Sequence, residues 1–362
     1  MLDFTSSLYL GLWHASYSLP PWKQLTVGKP AALAPPPGAV RVADRLARLI
    51  GCERATLAPS TLHLFWDLFG VLSGDGIAIY MDASVYPIAQ WGIERAAARG
   101  VPLHTFPHHD VDALRRWLQQ NNHRRLQPIV VTDGFCPGCG RHAPLTAYLD
   151  SVRAYGGRII IDDTQALGIF GHAAGADAPY GRHGGGSLSW YNIGGDDVIV
   201  IGSLAKSFGV PIAVLAGNHA MIARFEQQSE TRVHCSPPSI AAVHAAEHTL
   251  NVNNQHGDAL RLRLAYRVRH FRNRLAMAGV AAIGGLFPVQ TLRLECDVDV
   301  IGLHAQLLDH GIKTLLHHGR NGNRPRISFI VTVRHRLAEI DRAVNGVVSA
   351  IKMHSVGQAL WR

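Results

Sequence analysis

Lysine is scarce in this 362-residue chain: Lys23, Lys29, Lys206, Lys313 and Lys352 stand against thirty arginines. Acidic residues are also in the minority, with 26 Asp and Glu against 35 Lys and Arg, for a formal charge of +9. That balance suits anionic ligands such as phosphates and carboxylates. The arginines are dispersed, with no basic run and no aromatic-basic repeat, so a nucleic-acid partner is not expected. Nor does any apolar run reach membrane-spanning length, and no membrane partner is expected. The five cysteines, Cys52, Cys136, Cys139, Cys235 and Cys296, are odd in number and follow no secretory leader. They point to a reducing, cytoplasmic setting rather than a disulfide framework. Internal repeats and low-complexity tracts are absent too. What is present is 47% apolar and 17% charged residues, a composition that buries a core. The length accommodates one large domain and a smaller one.

The lysine that stands out is Lys206. It lies in Gly202-Ser203-Leu204-Ala205-Lys206-Ser207-Phe208-Gly209, just past the strand-like run Val198-Ile199-Val200-Ile201. An amine held there among small and hydroxyl residues, with its pKa lowered by desolvation, can form a Schiff base with an aldehyde cofactor. Upstream, Arg158-Ile159-Ile160-Ile161-Asp162-Asp163 reads as a buried strand ending in two carboxylates. The C-terminal ends of such strands face the ligand crevice of α/β proteins. Pyridoxal phosphate needs a lysine for its aldehyde and a carboxylate against its ring nitrogen. Lys206 and Asp162 supply that pair.

The pattern around them is α/β. Residues 40–51 read as an amphipathic helix with Val42, Leu46, Leu49 and Ile50 inward. From Ala55 a strand runs into a helix with Ser60 or Thr61 as N-cap, an arrangement that offers backbone N–H groups to an anion. Further strands are expected at Ile77–Met81, Pro102–Phe106 and Pro128–Gly134, with helices at Ile88–Arg99 and near Val111–Gln120. Cys136-Pro137-Gly138-Cys139 has zinc or redox spacing but no second ligand pair and no thioredoxin-like context, and reads as a tight turn; no metal is expected. Gly181-Arg182-His183-Gly184-Gly185-Gly186-Ser187 lacks the spacing of a phosphate-binding fingerprint and reads as a flexible loop at the active-site mouth. A helical stretch from Ile240 to about Ala278, broken by polar residues near 251–257, leads to a C-terminal region. There Val289–Leu294 and Arg326–Val333 alternate as strands and Val300–His310 reads as a helix. The expected division is an arm over 1–40, a large domain over 41–255 and a small one over 256–362.

Three motifs resemble those of the α-oxoamine synthase family of fold-type I pyridoxal phosphate enzymes, typified by 8-amino-7-oxononanoate synthase. Asp162-Asp163-Thr164-Gln165-Ala166-Leu167-Gly168 resembles D-[DE]-A-H-x-x-G. Ser203 to Gly209 resembles T-x-x-K-x-x-G, and Leu2 to Leu12 resembles L-N-F-x-S-N-D-Y-L-G-L. The resemblance implies a fold-type I architecture, with a mostly parallel seven-stranded sheet in the large domain and a small α+β C-terminal domain. It implies pyridoxal 5'-phosphate held by Lys206, with Asp162 on the pyridinium and Tyr86 stacked in place of the family's His. It places Ser60, Thr61, Leu62 and Ser203 at the phosphate, Asp133 near the cofactor where the family has Glu, and Gln165 at the cofactor oxygen. Arg326, in Arg324-Pro325-Arg326-Ile327-Ser328, is the implied anchor for the substrate carboxylate, with Ser7 beside it. The implied reaction is decarboxylative condensation of an amino acid with an acyl thioester, with Lys206 and Asp162 catalytic, in a homodimer whose active site lies at the subunit interface.

The chain departs from the family at Gln165 (His), at Ser7 (Asn) and over Lys29–Gly38, where a glycine- and serine-rich loop usually admits the acyl chain. An aminotransferase, or another reaction at the α-carbon, therefore stands beside the synthase, and behind both a non-catalytic protein of the pyridoxal phosphate fold that binds a partner or regulates.

Overall fold

A computed structural model describes residues 1–121, 126–295, 298–317 and 324–359; Cys296 lies outside them. The chain divides into two compact units, one of residues 12–136 and 142–258 and one of residues 1–11, 137–141 and 259–362.

The larger unit is built on seven strands: β1 Arg54–Ala58, β2 Ile77–Asp82, β3 Leu103–Phe106, β4 Gln127–Asp133, β5 Arg158–Asp162, β6 Val198–Ser203 and β7 Ala213–Gly217. They lie in the order β1-β7-β6-β5-β4-β2-β3, and only β7 runs antiparallel to its neighbours. This is the mostly parallel seven-stranded sheet that the resemblance implied. Apolar residues on both faces explain why the strand sequences are near-continuous hydrophobic runs. Ile159, Ile161, Val198 and Val200 enter one core with helices α1 (Ala39–Ile50), α4 (Val111–Asn121), α5 (Leu145–Arg153) and α6 (Ser187–Tyr191). Ile160, Ile199 and Ile201 point the other way, into a second core with α2 (Thr61–Leu72) and α3 (Pro87–Ala98). The two-residue side-chain period of a strand produces this division directly.

The smaller unit carries a four-stranded antiparallel sheet, in the order Ala281–Ile283, Val289–Arg293, Arg326–Ile330, Leu315–His317. Leu2–Asp3 pairs in parallel with Ile312–Lys313. Phe4 is fully buried against Phe329 and Phe271, and its ring stacks on His335 at 4.2 Å. The first residues of the chain are thus built into this unit's own core. A two-residue strand has too little pattern to be read from sequence.

The helix from Ile240 to Met277 runs without the break expected near 251–257. The Asn-rich stretch stays helical because Leu250 and Asn253 are buried on one side, and tertiary packing overrides weak propensity. Cys136 and Cys139 flank a turn between the short strands Phe135–Cys136 and Arg141–His142, as expected, and neither is in a disulfide. No helix among the described residues is long and apolar enough to cross a membrane.

Candidate active site

The C-terminal ends of β4, β5 and β6 meet in register. Asp133 pairs with Asp162 across β4 and β5, and Asp162 pairs with Ile201 across β5 and β6. Ser203 ends β6, and Lys206 follows in the turn that leads to β7. Successive parallel strands thereby deliver two carboxylates and one amine to a single sheet edge.

Each group is positioned by short local bonds. Asp162 Oδ1 accepts the Thr164 N–H at 3.0 Å. Thr164 Oγ1 accepts the Ser203 N–H at 3.1 Å, and Ser203 Oγ accepts the Ala205 N–H at 3.2 Å. Thr164 thus ties the Asp162 turn to the Lys206 turn. Beyond the lysine, the Phe208 carbonyl accepts from His14 Nε2 at 2.9 Å and from Thr249 Oγ1 at 3.1 Å. Gly168 adopts φ +85°, and a Cβ there would sit 2.6 Å from Ser207 Cβ. Only glycine lets the two motifs approach so closely.

On the neighbouring edge, Asp82 closes β2. It accepts from Ser84 N at 2.9 Å, His108 Nδ1 at 2.7 Å, His109 N at 3.0 Å and the Tyr148 hydroxyl at 3.3 Å. Burial alone would raise its pKa, but these bonds hold its carboxyl below the usual range. The turn so fixed presents Tyr86, whose N–H donates to Asp133 Oδ1 at 3.1 Å. The Tyr86 ring is half exposed, with its centroid 6.0 Å from Lys206 Nζ. An exposed ring facing the amine is free to cover a planar group there.

Ser60 is the N-cap of α2, as expected, but its side chain does not cap the helix. Its Oγ pairs with His63 Nδ1 at 2.9 Å instead. Among the described residues no side chain caps the first turn, at Thr61 and Leu62, and its N–H groups keep their partial positive charge for an anion.

Electrostatically the site is tuned by burial. Desolvation raises the Asp162 carboxyl, while the Thr164 bonds and the Lys206 charge oppose that shift. Desolvation lowers the Lys206 ammonium, while Asp162 and Asp133 oppose it. A buried carboxylate of this kind fits the protonated ring nitrogen of pyridoxal phosphate. A desolvated amine fits its aldehyde, and the uncapped helix end fits its phosphate.

Ser7 and Arg326 belong to the smaller unit, and Lys206 to the larger. Arg326 opens its strand as an exposed guanidinium, and no hydrogen bond or ion pair to it occurs among the described residues. Gln165 is partly buried in the turn after Asp162.

Sequence reasoning missed one cluster. Asp163, 1% exposed, accepts from the Ser187 hydroxyl and, at 2.9 Å, from the Ser187 N–H. Gly186, at φ +84°, and Gly134 both pack so tightly on this carboxylate that a Cβ on either would collide with it. The glycine-rich run is therefore not the flexible loop expected: Gly184 through Ser187 are buried and clamp the end of β5. Burial and the Asp162 charge push Asp163 up to about 7, against the Ser187 bonds. The doubled aspartate was visible in the sequence, but its partner 24 positions away carried no local signal. His14 and Thr249 were missed for the same reason.

The family model for aminotransferase class I and II matches residues 2–335. An 8-amino-7-oxononanoate synthase of Acidithiobacillus ferrooxidans is 31% identical over 324 residues, covering 86% of this chain and 78% of the relative. One from Symbiobacterium thermophilum is 23% identical over 359 residues, covering 95% and 86%. Among solved structures, an 8-amino-7-oxononanoate synthase from Francisella tularensis superposes with a TM-score of 0.76 at 17% identity, covering 98% of both chains. A serine palmitoyltransferase from Sphingomonas wittichii gives 0.80 at 18% identity, covering 97% of this chain and 87% of that one.

Proposed function

The chain belongs to the aminotransferase class I and II family, as a pyridoxal phosphate enzyme of the α-oxoamine synthase kind, and from that premise we propose that it joins a small amino acid to an acyl thioester with loss of carbon dioxide. The observation that carries the reading is the register that sets Asp162 and the Lys206 turn on adjacent strand ends.

Bound pyridoxal phosphate supplies an electron sink for the α-carbon of the amino acid. The residues do the rest. Lys206 holds the cofactor and then, with its pKa lowered by desolvation, moves the proton at the α-carbon. Asp162 keeps the ring nitrogen protonated through its buried carboxylate. Tyr86 covers the ring and excludes water. Ser60, Thr61, Leu62 and Ser203 hold the phosphate, the first three through the uncapped end of α2. Asp133 fixes the Tyr86 backbone, and Gln165 reaches the cofactor oxygen. Arg326 takes the substrate carboxylate bidentately, with Ser7 beside it.

Gln165 and the proline-rich stretch Lys29–Gly38 favour one second reading, transamination, because neither retains the family's provision for an acyl chain. The two differ in the co-substrate, a thioester or a 2-oxo acid. The enzyme is also proposed to act as a homodimer. Trp13, Tyr17, Leu62, Trp66, Tyr86 and Trp91 are large apolar side chains left substantially exposed on the larger unit, as an oligomer interface requires.

The site assignment is tested by borohydride reduction of the loaded enzyme and peptide mass mapping. Cofactor attached to the peptide bearing Lys206 is expected; attachment elsewhere, or none, overturns it.

A further inference from the structure

The larger unit contains a cavity of about 810 Å³ that the proposed reaction does not use. Its polar lining includes Arg45 and Arg48 on α1, His172, His183 on the glycine-rich run, and Asn192 and Asn253. Among the described residues, no aspartate or glutamate lines it. Arg48 has no hydrogen bond or ion pair among the described residues, and Arg45 makes one long contact, Nη1 to the Glu247 carbonyl at 3.4 Å. Glu247 offsets part of the Arg45 charge, and the Arg48 charge has no ion pair among the described residues, so the lining keeps an excess of positive charge that attracts an anion.

The glycine-rich run is built to present the His183 imidazole here. His183 adopts φ 68°, a conformation that costs energy for a non-glycine residue. It is held by the Asp258 carboxylate accepting its N–H at 2.8 Å and by the Asn253 amide donating to its carbonyl at 2.9 Å. Backbone bonds fix the main chain and leave the ring outside, 4.8 Å from the His172 ring. Gly181-Arg182-His183-Gly184 thus acquires a purpose that its spacing alone did not reveal.

The cavity is not the lysine site: Lys206, Asp162, Asp133 and Tyr86 are not among its walls, and its His183 and Leu188 flank the buried turn that packs on Asp163.

We propose that this cavity is a second, non-catalytic site for a diphosphate-bearing small molecule. Two guanidinium groups match paired phosphoryl oxygens in charge and fork geometry, and the imidazoles and amides add donors around them. The diphosphate could be inorganic or carried on a nucleoside, and the two are separated by experiment.

The test is calorimetric titration of enzyme saturated with pyridoxal phosphate, so that the catalytic phosphate position is already filled. Inorganic pyrophosphate and ADP are titrated separately at low and high salt. Saturable binding that weakens with salt is expected, with a Kd raised by about tenfold or more in both Arg48→Gln and His183→Asn. Asparagine tolerates the His183 backbone conformation, and Arg48 is exposed, so both variants should keep the wild-type melting temperature and basal turnover. Equal binding of both probes assigns the affinity to the diphosphate; binding of ADP alone assigns part of it to the nucleoside. Absence of saturable binding with either probe overturns the proposal. So does binding that is unchanged in both variants, or that disappears as the pyridoxal phosphate excess is raised.

Discussion

Asp162 and Asp163 are neighbours in sequence with opposite duties. Asp162 faces the lysine; burial raises its pKa, and the Thr164 bonds and Lys206 oppose that shift. Replacing it with asparagine removes the charge that holds a ring proton while keeping the shape. Asp162→Asn is expected to lower kcat/KM by about 100-fold or more, the scale of a lost preorganised electrostatic contact. Steady-state kinetics at saturating cofactor measures it. Asp163 faces Ser187 and titrates near 7 in the fold, against about 4 when unfolded. The folded chain therefore binds a proton that the unfolded chain has released between those values. The stability that this contributes is complete below about pH 4 and is lost as pH rises to about 7. Melting temperatures of wild type and Asp163→Asn are expected to diverge between about pH 4 and about pH 7, with the wild type falling more steeply. Parallel curves would show that Asp163 keeps an ordinary pKa. The strand-end carboxylate and the lone lysine were legible because each closes an apolar run. Ser187, His14 and Thr249 were not, because their partners are set by tertiary folding rather than by spacing.

At the scale of elements, turns decide the site. The buried turn Gly184–Ser187 packs on Asp163, and Gly186 combines a positive φ with a carboxylate where its Cβ would go. Gly186→Ala is expected to destabilise the fold by more than about 1 kcal/mol, read as a lowered melting temperature, and to loosen the cofactor through Asp162. An unchanged melting temperature would mean that this turn yields easily. The strands themselves were readable, since uninterrupted Val and Ile runs fit a sheet buried on both faces. The 251–257 stretch of the long helix was misread because its polar residues hide one buried side. The α2 start was half read. Ser60 was placed correctly as the cap residue, but its bond to His63 rather than to the helix backbone depends on a side-chain choice that spacing does not specify.

For the molecule as a whole, the exposed aromatic residues of the larger unit predict self-association. Sedimentation velocity is expected to show a dimer at micromolar concentration, and a monomer that turns over substrate at full rate would contradict the proposed interface. The central claim concerns the reaction. Enzyme loaded with pyridoxal phosphate, given a panel of small amino acids and an acyl-coenzyme A thioester, should release free thiol and carbon dioxide in equal amounts with at least one pair, and Lys206→Ala should release neither. Conversion of the amino acid to its 2-oxo acid, with a 2-oxo acid acceptor required and no thiol freed, would contradict the account and establish transamination instead.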